Sequence, residues 1–127
     1  MELENLYPQK VFHYFSEISK IPRGSKREKK ISDFLVNFAK ERNLEVIQDK
    51  ALNVLIKKEA TKGYENFSPL ILQGHMDMVW EKNKNTDFDF ENCGIELAVK
   101  DGFLIANGTT LGADNGIAVA IALAILD

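Results

Sequence analysis

The sequence predicts an α/β layer structure. Three observations carry that prediction: two amphipathic helical stretches near the start, short β-type runs in the middle, and an all-apolar run from Ile117 to Leu126. The 127 residues fit one domain, and 45% hydrophobic with 28% charged residues is ordinary globular composition, which excludes disordered, collagen-like and disulfide-scaffold chains.

In the first stretch, residues 8 to 20, Val11, Phe12, Phe15 and Ile18 recur at helical spacing, and Pro8 suits a first helical turn. Ile21-Pro-Arg-Gly breaks the pattern. Ser25 and Glu28 then have the spacing of a capping box, opening a second helix over about 25 to 42. Its apolar stripe is Ile31, Phe34, Leu35, Phe38 and Ala39, while Lys26, Lys29, Lys30 and Lys40 stay off it. Beyond Asn43 the period shortens to β-type runs at 44–47, 53–57 and 70–73. Thr61 to Pro69, polar and punctuated by Gly63, reads as a surface connection. Leu70-Ile-Leu is apolar on both faces, so it is expected to be a central strand covered on both sides. Runs at 95–100 and 103–106 flank Asp101-Gly102, a type I′ hairpin signal. A helix as apolar all round as the last one is normally sandwiched inside a protein, so a truncated chain with its remaining layers elsewhere is expected.

Sixteen basic against nineteen acidic residues, net −3, leave no positive field for nucleic acid or an anionic membrane. No apolar stretch reaches the roughly 20 residues that span a bilayer. The lone Cys93 and a start without a basic and apolar leader suggest a reducing, cytoplasmic setting.

Two segments can carry chemistry. Gly74-His75-Met76-Asp77-Met78 follows the run expected to be central, at the strand end where open α/β sheets gather ligands. In extended chain His75 and Asp77 share one face, with Cα atoms about 6–7 Å apart. His75 could then offer a nitrogen to a metal while Asp77 fixes its tautomer; the plainer reading is a hydrogen-bonded pair at a strand end. The loop from Gly108 to Gly116 precedes the apolar helix, and there Asp114 is either an N-cap or a cation ligand. A phosphate loop is excluded, because Lys and Ser or Thr do not follow its last glycine and a carboxylate stands where phosphate would sit.

Together, Leu70-Ile-Leu-Gln-Gly-His-Met-Asp-Met-Val79 and Gly108-Thr-Thr-Leu-Gly-Ala-Asp-Asn-Gly116 resemble the two N-terminal motifs of the aminoacyl-histidine dipeptidase family. That family is a branch of the dinuclear zinc exopeptidases that include carnosinases and aminoacylases. The resemblance runs over nearly the whole chain. It implies a layered α/β/α zinc-exopeptidase catalytic domain, of which residues 1–127 are the N-terminal part with a mixed sheet flanked by helices, the inserted second domain being absent. It implies His75 as a terminal zinc ligand, Asp77 as the catalytic-site carboxylate orienting its imidazole, and Asp114 as the carboxylate bridging two zinc ions. The Asp114–Asn115 peptide is then cis, which makes Asn115 part of the site geometry. Cobalt or manganese could replace zinc on such ligands.

The implied activity is hydrolysis of dipeptides, expected to be Xaa-His dipeptides, by a two-zinc-activated water in the full-length protein. The family's remaining ligands and general base lie further along its chain, so these residues alone are expected to be catalytically incomplete. The alternative is a noncatalytic binding or regulatory domain retaining the fold. His75 and Asp114 are expected to converge, with Asp77 behind His75. The helix over 116–126 is expected to drive self-association, because its apolar residues cannot all face one core. Trp80 either shapes the site's mouth or packs on the body, and His13 and Cys93 read as ordinary surface or loop residues.

Overall fold

A computed structural model describes residues 3–127. Helices α1 (Gln9–Ser19) and α2 (Lys29–Glu41) come first, two hairpins follow, β1 (Glu45–Gln48) with β2 (Val54–Lys57) and β3 (Leu97–Lys100) with β4 (Phe103–Ala106), and helix α3 (Ala113–Leu126) comes last. The helical stripes read from the sequence face the core: Phe15 and Ile18 of α1 and Ile31, Leu35, Phe38 and Ala39 of α2 are buried, Val11, Phe12 and Phe34 are partly buried, and Tyr14, outside the predicted stripe, is buried with them. Val119, Ala120 and Leu123 of α3 complete a single core, in which α3 lies along α1 while α2 rests on the β1–β2 hairpin. Each fully buried large side chain, such as Phe15 or Ile18, stabilises this packing by about 1.5–3 kcal/mol relative to exposure.

Both hairpins are antiparallel, with Val46 opposite Ile56 and Val99 opposite Leu104. Asp101 and Gly102 both take positive φ, 51° and 81°, as a type I′ turn requires. The α/β class therefore holds. Its strands form two separate two-stranded sheets, and among the described residues parallel pairing is confined to one bridge, Gly24 with Met78.

Two local expectations are corrected. The run at 70–73 is not a covered central strand: it has no ladder partner, and Leu70 and Ile71 are 83% and 87% exposed. A strand is made by its neighbours' hydrogen bonds, and among the described residues neither hairpin pairs with this run. Only the downstream end of this segment is tied, by Met78 N–H to the Arg23 carbonyl (2.9 Å) and Ser25 N–H to the Met78 carbonyl (3.1 Å). Nor do Ser25 and Glu28 form a capping box. Lys26 turns the chain through φ 72°, so α2 starts at Lys29, Glu28 accepts from the Lys26 N–H (2.7 Å), and the Ser25 hydroxyl points elsewhere.

The outer face of α3 exposes Ile117, Ile121 and Ile125 at four-residue spacing. Among the described residues no helix is long and apolar enough to cross a membrane.

Candidate metal centre

The site forms where the segment after residue 73 meets the start of α3. The downstream flanks of the two motifs are laced together: Asn83 N–H donates to the Gly108 carbonyl (2.8 Å), Thr110 N–H to that of Glu81 (2.8 Å), and the Thr110 hydroxyl to that of Val79 (2.7 Å). Gly112 takes φ +76°, the left-handed region where glycine carries no steric penalty, and turns the chain into α3. Asp114 and Asn115 depart from helical backbone, and the peptide between them is cis. The regular helix follows from there.

The Asp114 carboxylate makes its contact outside its own helix. No side chain caps α3, so the carboxylate does not serve the helix N-terminus. It is 94% exposed and meets the His75 ring instead, with Oδ1 at 3.0 Å from Nε2. The other ring nitrogen, Nδ1, lies 3.0 Å from the Asp77 carbonyl and 3.2 Å from Asp77 Oδ1. Carbonyl and carboxylate oxygens only accept, so Nδ1 carries a proton toward Asp77 and, in the contact as it stands, Nε2 carries one toward Asp114; a cation held between the pair would take the place of the Nε2 proton. Burial pulls the His75 pKa down. Its hydrogen bonds to Asp114 and the Asp77 backbone, with both carboxylate charges, outweigh that and raise it above the ordinary histidine value.

Asp77 is held in turn by Ser25, whose hydroxyl donates to Oδ2 at 2.6 Å. That bond is the main reason its carboxyl lies below the usual range; partial burial opposes it, and the His75 ring adds to it. Asn115 tucks its side chain beneath Gly74, where a Cβ would stand 3.0 Å from Oδ1. That oxygen is buried without a hydrogen-bond partner.

His75, Asp77, Asp114 and Asn115, the four residues singled out from sequence, are thus brought together. Sequence reasoning missed Ser25, taken for a cap, and Arg23, taken only as part of a break. Their targets, Asp77 and backbone carbonyls, lie more than fifty positions away, and no local pattern announces them. Trp80 packs on the body: its ring stacks on Phe90 (5.4 Å between centroids, 17° between planes) and lies over Gly24. His13 is exposed on α1 with its ring edge against Tyr14, and Cys93 is an exposed free thiol.

Imidazole nitrogen and carboxylate oxygen are the donor types zinc takes. Two such donors bound at about 2.0–2.1 Å to a tetrahedral ion stand about 3.3 Å apart, close to the separation seen here. The pair therefore fits a metal, with the Asp77 carboxylate behind the imidazole as such ligands require. Among the described residues no group of three or more His, Cys, Asp or Glu side chains is placed to hold an ion by itself. Two donors face the open side while Asp77 is turned to Nδ1.

No family model matches the chain. It is 44% identical over 125 residues to the cytosol non-specific dipeptidase of Escherichia coli (strain K12), covering 98% of this chain and 26% of that protein. The crystal structure of aminoacylhistidine dipeptidase from Vibrio alginolyticus superposes with a TM-score of 0.96 at 42% identity, covering 99% of this chain and 26% of that one. The chain thus spans about a quarter of the length of these relatives. By sequence and by fold it matches the N-terminal part of the aminoacylhistidine dipeptidases, whose two motifs it carries.

Proposed function

We propose that the chain is the N-terminal part of a metallo-dipeptidase catalytic domain that holds zinc through His75 Nε2 and the Asp114 carboxylate. The observation that supports this reading is the 3.0 Å approach of those two groups with the imidazole's other nitrogen held by Asp77. When bound, zinc polarises a scissile carbonyl and lowers the pKa of its water to near neutrality. The chain's own residues prepare for that. Asp77 keeps the proton on Nδ1, so that Nε2 meets a cation with its lone pair. Ser25 keeps Asp77 ionised, and Asp114 supplies the negative charge on the open side.

With two outward donors the chain falls short of the three protein ligands of a typical catalytic zinc site. Turnover therefore requires residues from the remaining three-quarters of a protein as long as its relatives. Dipeptides are the substrate class by likeness. Preference for C-terminal histidine follows the Vibrio alginolyticus protein's name, and a broader range follows the Escherichia coli one. The cytosolic setting of the latter is proposed here too.

The test is hydrolysis of Ala-His and Ala-Leu by the protein that carries this chain, with and without a chelator, and by its Asp114→Ala variant. Loss of turnover on chelation and in the variant is expected, and no turnover by the 127 residues alone. Chelator-resistant hydrolysis would overturn the metal reading. A protein that binds dipeptides without cleaving them would be a binding domain on the peptidase fold.

A further inference from the structure

We infer that Arg23 is the positioning residue that sets the two motif loops against each other, so that His75 and Asp114 meet. The inference rests on the metal-site reading for its purpose, though not for its geometry. Arg23 is 1% exposed and is the largest fully buried side chain among the described residues. Its Nη1 donates to the Met76 carbonyl at 3.1 Å, between His75 and Asp77. Its Nη2 donates to the Gly112 carbonyl at 2.8 Å, two positions before Asp114. One rigid, planar group thus bonds the backbone beside each side chain of the pair. The lacing by Asn83 and Thr110 ties the motifs at their outer flanks, whereas Arg23 ties them at the site itself.

The surroundings are shaped for this group. A Cβ on Gly112 would stand 2.6 Å from Nη2, and one on Gly116 2.7 Å, so both positions are bare where the guanidinium passes. The same residue's backbone carbonyl accepts from Met78 N–H, so Arg23 grips the His75 segment from both ends of its own structure. Its acceptors are neutral carbonyls, and Nε is buried with no partner. A buried cation arranged in this way is a poor stabiliser. Burial lowers its pKa to about 10, against the opposing charge of Asp77, which still leaves it protonated at neutral pH. Replacing a whole buried ion pair by apolar side chains is often neutral or favourable for stability, whereas removing Arg23 alone takes the donor from the Met76 carbonyl and costs stability. Retention of the forked donor is explained by what it holds. A lysine ammonium, a point charge on a flexible stem, cannot reproduce that two-pronged geometry.

The experiment compares Arg23→Met, Arg23→Lys and Asp114→Ala with the parent, all made in the protein that carries this chain, by three measurements: thermal melting, calorimetric titration with zinc chloride, and, without metal, the nuclear Overhauser contacts between the His75 ring and the Asp114 β protons. For Arg23→Met we expect a lower melting temperature with the fold retained, zinc affinity lower by roughly 10–100-fold as when other supports of a ligand are removed, and loss of the ring contacts. Arg23→Lys should fall between, and Asp114→Ala should lose zinc binding.

If Arg23→Met keeps the ring contacts, or binds zinc as the parent does while Asp114→Ala does not, the inference is overturned and the metal reading stands. If Asp114→Ala binds zinc normally, the metal reading fails, and the metal-free contacts alone decide the role of Arg23. If both Arg23 variants unfold, Arg23 is a folding residue and the inference is overturned.

Discussion

Replacing Ser25 by alanine isolates the outermost link of the chain Ser25–Asp77–His75–Asp114. The substitution deletes the 2.6 Å bond to Asp77 Oδ2 and a weaker 3.4 Å contact with the Met78 carbonyl. A hydrogen bond to an ionised acceptor contributes about 1.5–3 kcal/mol. The Asp77 side chain is 30% exposed, so water can replace the hydroxyl, which reduces the expected cost at neutral pH to about 1 kcal/mol. For a domain of this length that lowers the melting temperature by about 3–5 °C.

The pH dependence gives the sharper test. The Ser25 hydroxyl is the largest cause of the depressed Asp77 pKa. A depressed carboxylate contributes stability that is fully present above its unfolded value of about 3.9 and is lost as pH falls through the folded value. The gap between parent and Ser25→Ala should therefore be constant from about pH 7 to about pH 5 and narrow as pH falls below the unfolded carboxylate value toward the lower folded one. Urea unfolding across that range measures it. A gap that persists unchanged into acid, or its absence at neutral pH, would refute the assignment of Ser25 as the support of an ionised Asp77.

Two further outcomes follow from packing. At Gly94 a Cβ would stand 2.6 Å from both the Cα and the carbonyl oxygen of Lys20, backbone atoms that cannot swing aside, and the 2.7 Å bond from Ile95 N–H to the Ser19 carbonyl lies next to it. Gly94→Ala should thus destabilise by about 1–3 kcal/mol, and an unchanged thermal melt would contradict the close approach. The exposed stripe Ile117, Ile121 and Ile125 should make the chain self-associate, and Ile121→Lys should weaken that in sedimentation; a parent chain that stays monomeric at high concentration defeats the prediction.

Where one residue's neighbours are close in sequence, the structure was legible. The α1 and α2 stripes came from 3.6-residue spacing, the Asp101-Gly102 turn from its need for two positive φ values, and the shared face of His75 and Asp77 from strand alternation. The errors share one cause. Leu70-Ile-Leu is apolar enough for a covered strand, but cover and pairing are supplied by other elements, and neither hairpin pairs with it. Ser25 has a capping residue's chemistry, yet a left-handed Lys26 directs its hydroxyl to a carboxylate 52 positions away. For Asp114, sequence left cap and ligand both open, and its contact with the His75 ring, 39 positions away, is not legible from local spacing.

The separation of the site's parts along the chain sets when it can come into being. His75 and Asp114 are 39 positions apart, and Arg23 reaches across 53 and 89 positions to its two carbonyls. Contacts of such range carry a loop-closure cost before they return any stabilisation, and they slow folding. The α1–α3 interface that draws the ends together is likewise absent until the last helix has formed. On a growing polypeptide the first two helices and the first hairpin can assemble while the pair is still open. The ligand geometry is thus a late product of folding, and variants of α1 or α3 that slow their docking should delay the appearance of the site without altering its final form.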